Sequence, residues 1–225
     1  MKKGKVGAVI VAAGRAERME GAEKLFAEIG GVPLIGRVIE LFQKSEVIDE
    51  IVVVMSKENL EHGRELAEGH GWSKISHFCP GGTRRQDSVN EGIKKLTDCK
   101  WVVIHDGARS MLPADIIEQT ITEARETGAA ITAVLVKDTI KVASPERFVE
   151  STLQRDTLWA VQTPQVFSFD LIWRAHEEIS EDVSDDAMMV EKLGHRVKLY
   201  MGSYDNIKIT TPEDLALAEL ILRNQ

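Results

Sequence analysis

The sequence predicts an α/β fold with a mostly parallel central sheet flanked by helices, because short apolar runs alternate with amphipathic stretches. Residues 6–12 (VGAVIVA) are almost continuously apolar, as expected of a strand that is covered on both faces. Residues 51–55 (IVVVM) and 101–105 (WVVIH) have the same character. These three runs predict the central strands of the sheet.

The stretches between these runs predict the crossover helices. Pro33 begins a helix in which Leu34, Val38, Leu41 and Phe42 share one face. A polar helix over 57–69 ends at a glycine, a strand covers 75–78, and a helix covers 87–96. After the strand at 101–105 we expect a helix over 113–127 and a strand over 129–136.

Helical periodicity disappears between residues 137 and 165. Short alternating segments (TIKVA, RFVEST and LWAVQ) surround a Ser144-Pro145 turn. This pattern predicts a β-arm over 137–165 that protrudes from the main α/β layer. Beyond the arm we expect helices over 169–179 and 185–193, strands over 196–200 and 207–210, and a last helix from Pro212 with Thr211 as its N-cap. Residues 1–225 are therefore interpreted as a single domain with an arm.

Composition limits the classes of partner. The formal net charge is −8 and the pI about 5.4, which argues against a broad basic surface for nucleic acid but permits a small polyanion in a locally basic cleft. Cys79 and Cys99 are the only cysteines and suggest two reduced thiols. The first apolar stretch is too short to span a membrane. We therefore expect a cytoplasmic protein with no nucleic-acid or membrane partner.

The loop after the first predicted strand contains small residues and then cations. It reads Ala12-Ala13-Gly14, followed by Arg18 and Lys24. Small residues let backbone N–H groups approach a phosphate, and the two cations would neutralise its charge. The loop is neither a P-loop nor a GxGxxG fingerprint, and a tight turn with solvated cations is the alternative.

Two further segments have polar residues at expected strand ends. Pro80-Gly81-Gly82-Thr83 precedes a helix start that includes Ser88; it would suit a base or ribose, or be a glycine turn capped by Asp87 or Ser88. In His105-Asp106-Gly107-Ala108-Arg109, Asp106 stands where a phosphate-bridging metal ion would be held. We interpret His105 as structural.

The segments near the C-terminus are more ordinary. Asp205 and Lys208 bracket a predicted short strand and offer a second carboxylate and a cation, but taken alone the segment is better explained as an ordinary turn, strand and cap. Ser184-Asp185-Asp186 stands before a predicted helix and reads first as an N-cap.

Taken in order, the motifs VIVAAG, PGG with RQDSV, HDGAR, KDTIK, QTPQ, SDDA and DNIKIT resemble the 2-C-methyl-D-erythritol 4-phosphate cytidylyltransferase family over nearly the whole chain. The resemblance implies a Rossmann-like nucleotidyltransferase fold and a homodimer through the β-arm. It also implies transfer of CMP from CTP to 2-C-methyl-D-erythritol 4-phosphate with Mg²⁺, in the non-mevalonate isoprenoid precursor pathway. Glu23, Ser110 and Gln154 depart from the family pattern.

The resemblance also implies roles for particular residues. Arg18 and Lys24 would stabilise charge at the triphosphate, and Arg155 and Lys208 would position the acceptor phosphate. The implied nucleotide contacts are Ala12, Ala13, Gly14, Gly82, Thr83, Arg85, Ser88 and Asp106. The implied contacts with the alcohol substrate are Arg109, Thr139, Thr163 and Ser184. Asp106 would bind the metal ion, with Asp205 as a second ligand.

Three other functions compete with this one. A ribitol-5-phosphate cytidylyltransferase shares most of the motifs, so the acceptor half of the site must separate the two. A non-catalytic nucleotide-binding module would be expected to lack at least one of the cations or the carboxylate, yet all are present. A nucleotide-sugar-dependent glycosyltransferase suits the strand-end aspartate, but the two cations in the first loop suit a triphosphate better.

We predict that Arg18→Ala or Lys24→Ala lowers turnover by on the order of 10²-fold or more, because each removes a charge that stabilises the transition state. Steady-state rates of pyrophosphate release measure the effect. Near-normal rates in both variants would contradict the assigned roles.

Overall fold

The structure is a computed structural model that describes residues 4–14 and 24–224, with Lys24 described by its backbone alone. The strands are β1 (Val6–Ala12), β2 (Glu28–Ile29), β3 (Val32–Pro33), β4 (Glu50–Met55), β5 (Ile75–Pro80), β6 (Trp101–Asp106), β7 (Ala129–Leu135), β8 (Lys141–Ala143), β9 (Val149–Thr152), β10 (Trp159–Ser168) and β11 (Lys198–Met201). The α-helices are α1 (Leu34–Lys44), α2 (Leu60–His70), α3 (Arg85–Ile93), α4 (Ala114–Thr127), α5 (Phe169–Glu178), α6 (Asp186–Lys192) and α7 (Pro212–Arg223).

A seven-stranded sheet with the order β11-β7-β10-β6-β1-β4-β5 forms the centre of the fold. Neighbouring strands are parallel except at β10, which pairs antiparallel with both β6 and β7. The predicted α/β fold with a mostly parallel sheet is confirmed. The chain runs outward from β1 through β4 to β5 and then returns to β6 on the other side of β1. The switch in strand order therefore lies between β1 and β6, where open α/β sheets bind ligands.

Both faces of the sheet are buried, which explains the continuous apolar runs. Successive side chains of β1 point to opposite faces. Ala8 and Ile10 pack in a cluster with Phe42, whereas Val9 packs in a second cluster with Ile104. Because helices cover each face, alternation of apolar and polar residues would leave polar groups in the core. Among the helices of the described ranges, none has the length and apolar character needed to cross a membrane.

Helix ends differ from the prediction by a few residues, for identifiable reasons. The second helix continues through Gly69 and ends at Gly71, which adopts the left-handed conformation (φ 66°) that favours glycine. The last helix begins as predicted, since the Thr211 hydroxyl accepts a hydrogen bond from the backbone N–H of Asp214.

The predicted strand over 207–210 is wrong. These residues pair with no strand in the described part of the chain; instead the Ile209 N–H donates to the Ala108 carbonyl at 2.9 Å. Ile209 is fully buried against Ile29 and Leu34. Ile209 is therefore apolar because it packs in the core beneath a turn, and not because it belongs to a strand.

The hairpin β8–β9 lies within the predicted arm and turns around Ser144, whose N–H donates to the Phe148 carbonyl. The predicted range 137–165 nevertheless ends inside β10, which belongs to the central sheet. Its alternating segment (LWAVQ) thus forms part of the sheet itself. Only the chain between β7 and β10 projects as an arm.

We predict that Gly92→Ala lowers the free energy of unfolding by about 1–3 kcal/mol, because a Cβ there would collide with the side chains of Val9 and Val54 between α3 and the sheet. Gly69→Ala is the matched control, since Gly69 is exposed on a helix with open space around it. That variant should gain up to about 1 kcal/mol. Urea unfolding compares the two, and equal effects would contradict the packing argument.

Candidate active site

Three loops meet at the carboxyl edge of the sheet, after β1, β5 and β6. The Gly107 N–H donates to the Val11 carbonyl at 2.8 Å, so the turn after β6 touches the end of β1. A Cβ on Gly81 would collide with the Cβ of Ala13, so the loops after β1 and β5 are in direct contact. Glycine is required at this position because the two backbones approach so closely.

The loop after β5 is held by two side chains of α3. Ser88 is buried; its hydroxyl accepts a hydrogen bond from the Gly82 N–H and donates one to the Arg84 carbonyl, both at 3.1 Å. The Asp87 carboxylate accepts from the Arg84 N–H at 3.0 Å. Both side chains thus make the capping contacts expected at a helix start. Gly82 and Thr83 stay exposed at the edge of the sheet.

The Asp106 carboxylate, at the last residue of β6, pairs with two cations from distant parts of the chain. Arg85 Nε donates to Asp106 Oδ1 at 3.2 Å, and Lys208 Nζ lies 2.8 Å from Oδ2. Burial alone would raise the pKa of the Asp106 carboxyl, but the charges of Arg85 and Lys208 hold it well below its usual range. Asp106 therefore remains charged at neutral pH.

A chain of buried hydrogen bonds fixes the backbone beside Asp106. The Asp106 N–H donates to Thr163 Oγ1, and Thr163 Oγ1 lies 3.0 Å from His105 Nδ1. His105 Nε2 lies 3.0 Å from the Arg109 carbonyl. Because burial lowers the pKa of His105 to about 4, the ring is neutral and carries one proton. A carbonyl can only accept, so that proton is on Nε2, and the Thr163 hydroxyl donates to Nδ1.

The interpretation of His105 as structural agrees with this chain, since both ring nitrogens are occupied within the protein. The Thr163 hydroxyl is likewise engaged: it accepts from Asp106 and donates to His105. Thr163 is therefore positioned to hold the end of β6 in place. Its hydroxyl can still accept one hydrogen bond from a ligand, through the remaining lone pair, but has no proton left to donate.

A pocket of about 250 Å³ opens beside Asp106. Its lining residues come from α3, the end of β6 and the turn after it, β10, the loop before α6 and the segment before α7: Arg85, Asp106, Arg109, Val161, Gln162, Thr163, Gln165, Ser184, Asp185 and Lys208. Six of the residues predicted from sequence are thus brought together there. A larger groove of about 530 Å³ between α2 and β5 contains no predicted site residue.

Several predicted residues lie elsewhere. Arg155 and Thr139 are exposed on the arm, and Arg155 Nη1 donates to the Lys137 carbonyl. Asp205 is exposed, and its N–H donates to the Ser203 hydroxyl. None of the three lines the pocket. Arg18 lies outside the described residues, and so does the side chain of Lys24.

Sequence reasoning gave no role in the site to several buried polar residues around the pocket, among them Asp186, Gln165 and Asn206. Asp186, interpreted first as part of an N-cap and second as a ligand, accepts a hydrogen bond from Arg85 Nη1 at 2.7 Å. The Gln165 side chain donates to Asp185 and accepts from the Ala187 N–H, which braces the start of α6. The Asn206 amide donates to the Thr163 carbonyl. The available signal was the pair of glutamines in QTPQ, because polar residues inside a buried strand require partners.

The Asp106 carboxylate suits a metal ion whose other ligands include the phosphate oxygens of a bound nucleotide. Within residues 4–14 and 24–224, no group of three or more His, Cys, Asp or Glu side chains could enclose a metal ion. Mg²⁺ in nucleotide sites takes about one or two protein carboxylates and fills its shell with phosphate oxygens and water. Asp106 supplies one such carboxylate beside a basic pocket, so the residues fit a phosphate-bridging ion rather than a cage built from protein alone.

A strand-end carboxylate at the switch point of a mostly parallel sheet, beside several cations, suits a nucleotide-binding enzyme such as a nucleotidyltransferase. A family model described as 2-C-methyl-D-erythritol 4-phosphate cytidylyltransferase matches residues 6–224. The chain belongs to this family, and the resemblance inferred from its motifs is confirmed.

Individual relatives agree with the family model. The chain is 49% identical to the 2-C-methyl-D-erythritol 4-phosphate cytidylyltransferase of Dehalococcoides mccartyi strain CBDB1, over 97% of this chain and 96% of the relative. It is 44% identical to the enzyme of the same name from Alkaliphilus oremlandii, over 98% and 96% of the two chains. Among solved structures, the 4-diphosphocytidyl-2C-methyl-D-erythritol synthase of Anaerococcus prevotii superposes with a TM-score of 0.88 at 31% identity, covering 98% and 96%.

We predict that Thr163→Val lowers the free energy of unfolding by about 2 kcal/mol or more, because it leaves the buried Asp106 N–H and His105 Nδ1 without partners. Thr163→Ser keeps the hydroxyl and should cost only about 1 kcal/mol, the loss of one buried methyl group. Urea unfolding of both variants gives the comparison. Equal losses would show that the hydroxyl does not carry this chain of hydrogen bonds.

Proposed function

We propose that the pocket beside Asp106 is where this chain carries out the reaction of its family, the transfer of a cytidylyl group from CTP to 2-C-methyl-D-erythritol 4-phosphate with release of pyrophosphate. One observation carries the proposal. Arg85, Arg109 and Lys208 reach the same pocket from three separate segments, and Arg85 and Lys208 pair with the charged Asp106 carboxylate there. Such a convergence of fixed cations suits a site that must hold phosphates.

The chemistry requires charge neutralisation more than proton transfer. The attacking group is a phosphate oxygen of the acceptor, which is already an anion. It forms a bond to the α-phosphorus of CTP, while the bond from that phosphorus to the bridging oxygen of pyrophosphate breaks. No proton has to be removed from the nucleophile, so the site needs no general base. The obstacle is repulsion between two anions, which preorganised cations reduce.

Lys208 and Arg109 are placed for the acceptor side of this reaction. Lys208 is about half exposed and reaches into the pocket from the segment before α7. Arg109 Nη1 donates to the Asn206 carbonyl, which fixes its guanidinium at the pocket wall. With Ser184 at the rim, these residues form a polar lining that suits a small alcohol phosphate.

The nucleotide belongs on the side of the β1 and β5 loops in this proposal. Ala12 ends β1 and Ala13 and Gly14 follow it, and Gly82 and Thr83 are exposed on the neighbouring loop, where Ser88 bonds to Gly82. Arg18 and Lys24 would stabilise the triphosphate. Asp106 would hold Mg²⁺, with Asp205 as a second ligand. When bound, the ion supplies positive charge that neutralises the phosphates and favours departure of pyrophosphate.

We further propose that the chain is a homodimer through its arm, and that Arg155 and Thr139 act in the partner's site. Two features support this. The arm exposes apolar side chains, including Phe148 (74% exposed) and Val149 (62% exposed), which a second copy would cover. Arg155 and Thr139 do not line the pocket of their own chain, although the family pattern assigns both to the acceptor.

A cytoplasmic location is also proposed. Cys79 and Cys99 are both free and buried. Burial raises the pKa of the Cys79 thiol to about 11, which keeps it protonated and unreactive. Unpaired, protected thiols are in keeping with a reducing compartment.

Pyrophosphate release measured with CTP, ATP, GTP and UTP against several alditol phosphates tests the reaction. We expect release with CTP and 2-C-methyl-D-erythritol 4-phosphate, and none after a chelator removes divalent cations. Ribitol 5-phosphate is the matched acceptor control and should support much slower release. A preference for ribitol 5-phosphate, or for another nucleotide, would contradict the proposal.

Subunit complementation tests the dimer. Arg155→Ala and Lys208→Ala homodimers should each be nearly inactive, because every site lacks one of the two cations. If Arg155 serves the partner's site, a heterodimer of the two variants contains one site with both cations. After free exchange about half of the dimers are mixed, so activity should return to about a quarter of the wild-type rate. No recovery after verified exchange would place Arg155 in its own chain's site.

A further inference from the structure

Arg85 lies between two carboxylates and is held more closely by the one outside the pocket. Its Nη1 donates to Asp186 Oδ2 at 2.7 Å, whereas its Nε donates to Asp106 Oδ1 at 3.2 Å. Asp186, the first residue of α6, is fully buried. Burial by itself lowers the pKa of the Arg85 guanidinium, but the charges of Asp186 and Asp106 outweigh it, and the pKa is raised. Arg85 is therefore firmly charged.

The two carboxylates differ in what else neutralises them. Asp106 has Lys208 as a second cation at 2.8 Å. Asp186 Oδ1 has no hydrogen-bond partner among the described residues, and His176 Nε2, which is also unpartnered, lies 3.9 Å from it. Burial lowers the pKa of His176, so its ring adds little positive charge at neutral pH. Arg85 is thus the cation on which Asp186 depends.

This difference decides which contact Arg85 can give up. Leaving Asp186 would strand a charge in the protein interior without a partner, which is strongly unfavourable. Leaving Asp106 costs less, because Lys208 and any incoming cation can replace the arginine there. The longer contact with Asp106 is the one that can open.

We propose that Asp186 is a positioning residue that retains Arg85, so that an oxygen of Asp106 becomes available to a divalent cation when the nucleotide binds. The inference rests on the proposed metal site at Asp106. It assigns to the second aspartate of SDDA a task beyond starting a helix: Asp186 competes with Asp106 for the same arginine. The residue acts on the metal ion through Arg85 and touches neither substrate.

Loss of the Asp186 charge should have opposite effects on the two ligands. In Asp186→Asn, Asp106 is the only anionic partner left to Arg85 in the described site. The positive charge of Arg85, no longer offset by Asp186, then repels a metal ion at Asp106. The same unneutralised charge would attract the phosphates of CTP. A merely structural defect at α6 would weaken both ligands together, so the two effects distinguish positioning from structure.

The experiment measures each ligand separately with Asp186→Asn. Mn²⁺ serves as the probe, and enhancement of the water-proton relaxation rate reports the ion held by the protein–CTP complex without an acceptor. We expect Mn²⁺ affinity to fall on the order of tenfold, the size typical of losing a residue that orients a metal ligand. CTP affinity in the presence of a chelator, from calorimetric titration, should be unchanged or higher.

Asp182→Asn is the matched control. Asp182 is an exposed carboxylate that pairs with the adjacent arginine, Arg84, at 2.9 Å and does not line the pocket. Its removal should leave both affinities at the wild-type value. Wild-type Mn²⁺ affinity in a folded Asp186→Asn protein, or equal losses for Mn²⁺ and CTP, would overturn the inference.

The double variant Arg85→Gln with Asp186→Asn guards against misfolding of the single variant, because a neutral amide pair replaces the buried ion pair and Asp106 keeps Lys208 as its partner. Because Arg85 no longer competes with the ion for Asp106, the Mn²⁺ affinity of the double variant should return to within a few-fold of wild type. If the folded double variant does not recover Mn²⁺ affinity, Arg85 does not compete with the metal ion, and the inference is refuted. If wild-type protein with CTP retains no Mn²⁺ at all, the metal site of the proposed function fails, and the inference fails with it.

Discussion

The Asp106 carboxylate can stay charged at the end of a buried strand only because basic side chains from α3 and from the segment before α7 meet it there. Much of the surrounding structure serves this balance of charge. Hydrogen bonds from Thr163 and His105 fix the backbone at Asp106, and Asp186 holds Arg85 on the side away from the pocket. These buried polar groups hold one another, because few other partners are available to them in the interior.

The order of the strands makes this convergence possible. Arg85, Asp106 and Lys208 come from separate segments, and they meet because α3 begins, β6 ends and the segment before α7 passes at the same edge of the sheet. The antiparallel strand β10 lies beside β6 and places Thr163 within hydrogen-bond distance of the Asp106 backbone. A site built in this way depends on the whole sheet rather than on one loop. The acceptor end and the nucleotide end of the proposed site would therefore lie on different segments of the same edge.

The arm has a different physical basis. Its two short strands carry apolar side chains that its own chain leaves exposed, and an isolated two-stranded hairpin has little stability in water. Cover from a second copy would account both for these side chains and for the distance between Arg155 and its own pocket. The reaction would then require a dimer, since each site would take a cation from its neighbour.

The sequence by itself determined the layered α/β fold, because continuous apolar runs suit only strands that are buried on both faces. It also determined the family through its ordered motifs. Asp106 follows a buried strand, and the family resemblance pointed to Arg85, Arg109 and Lys208; the structure brings all four to one pocket. Local pattern failed at 207–210, where an apolar Ile209 packs beneath a turn instead of joining a strand. Only the tertiary structure decided that Arg85 is shared with Asp186 and that Thr163 is bonded to His105. Those contacts join residues 58 or more positions apart, and no local preference of the chain encodes which buried donor meets which acceptor.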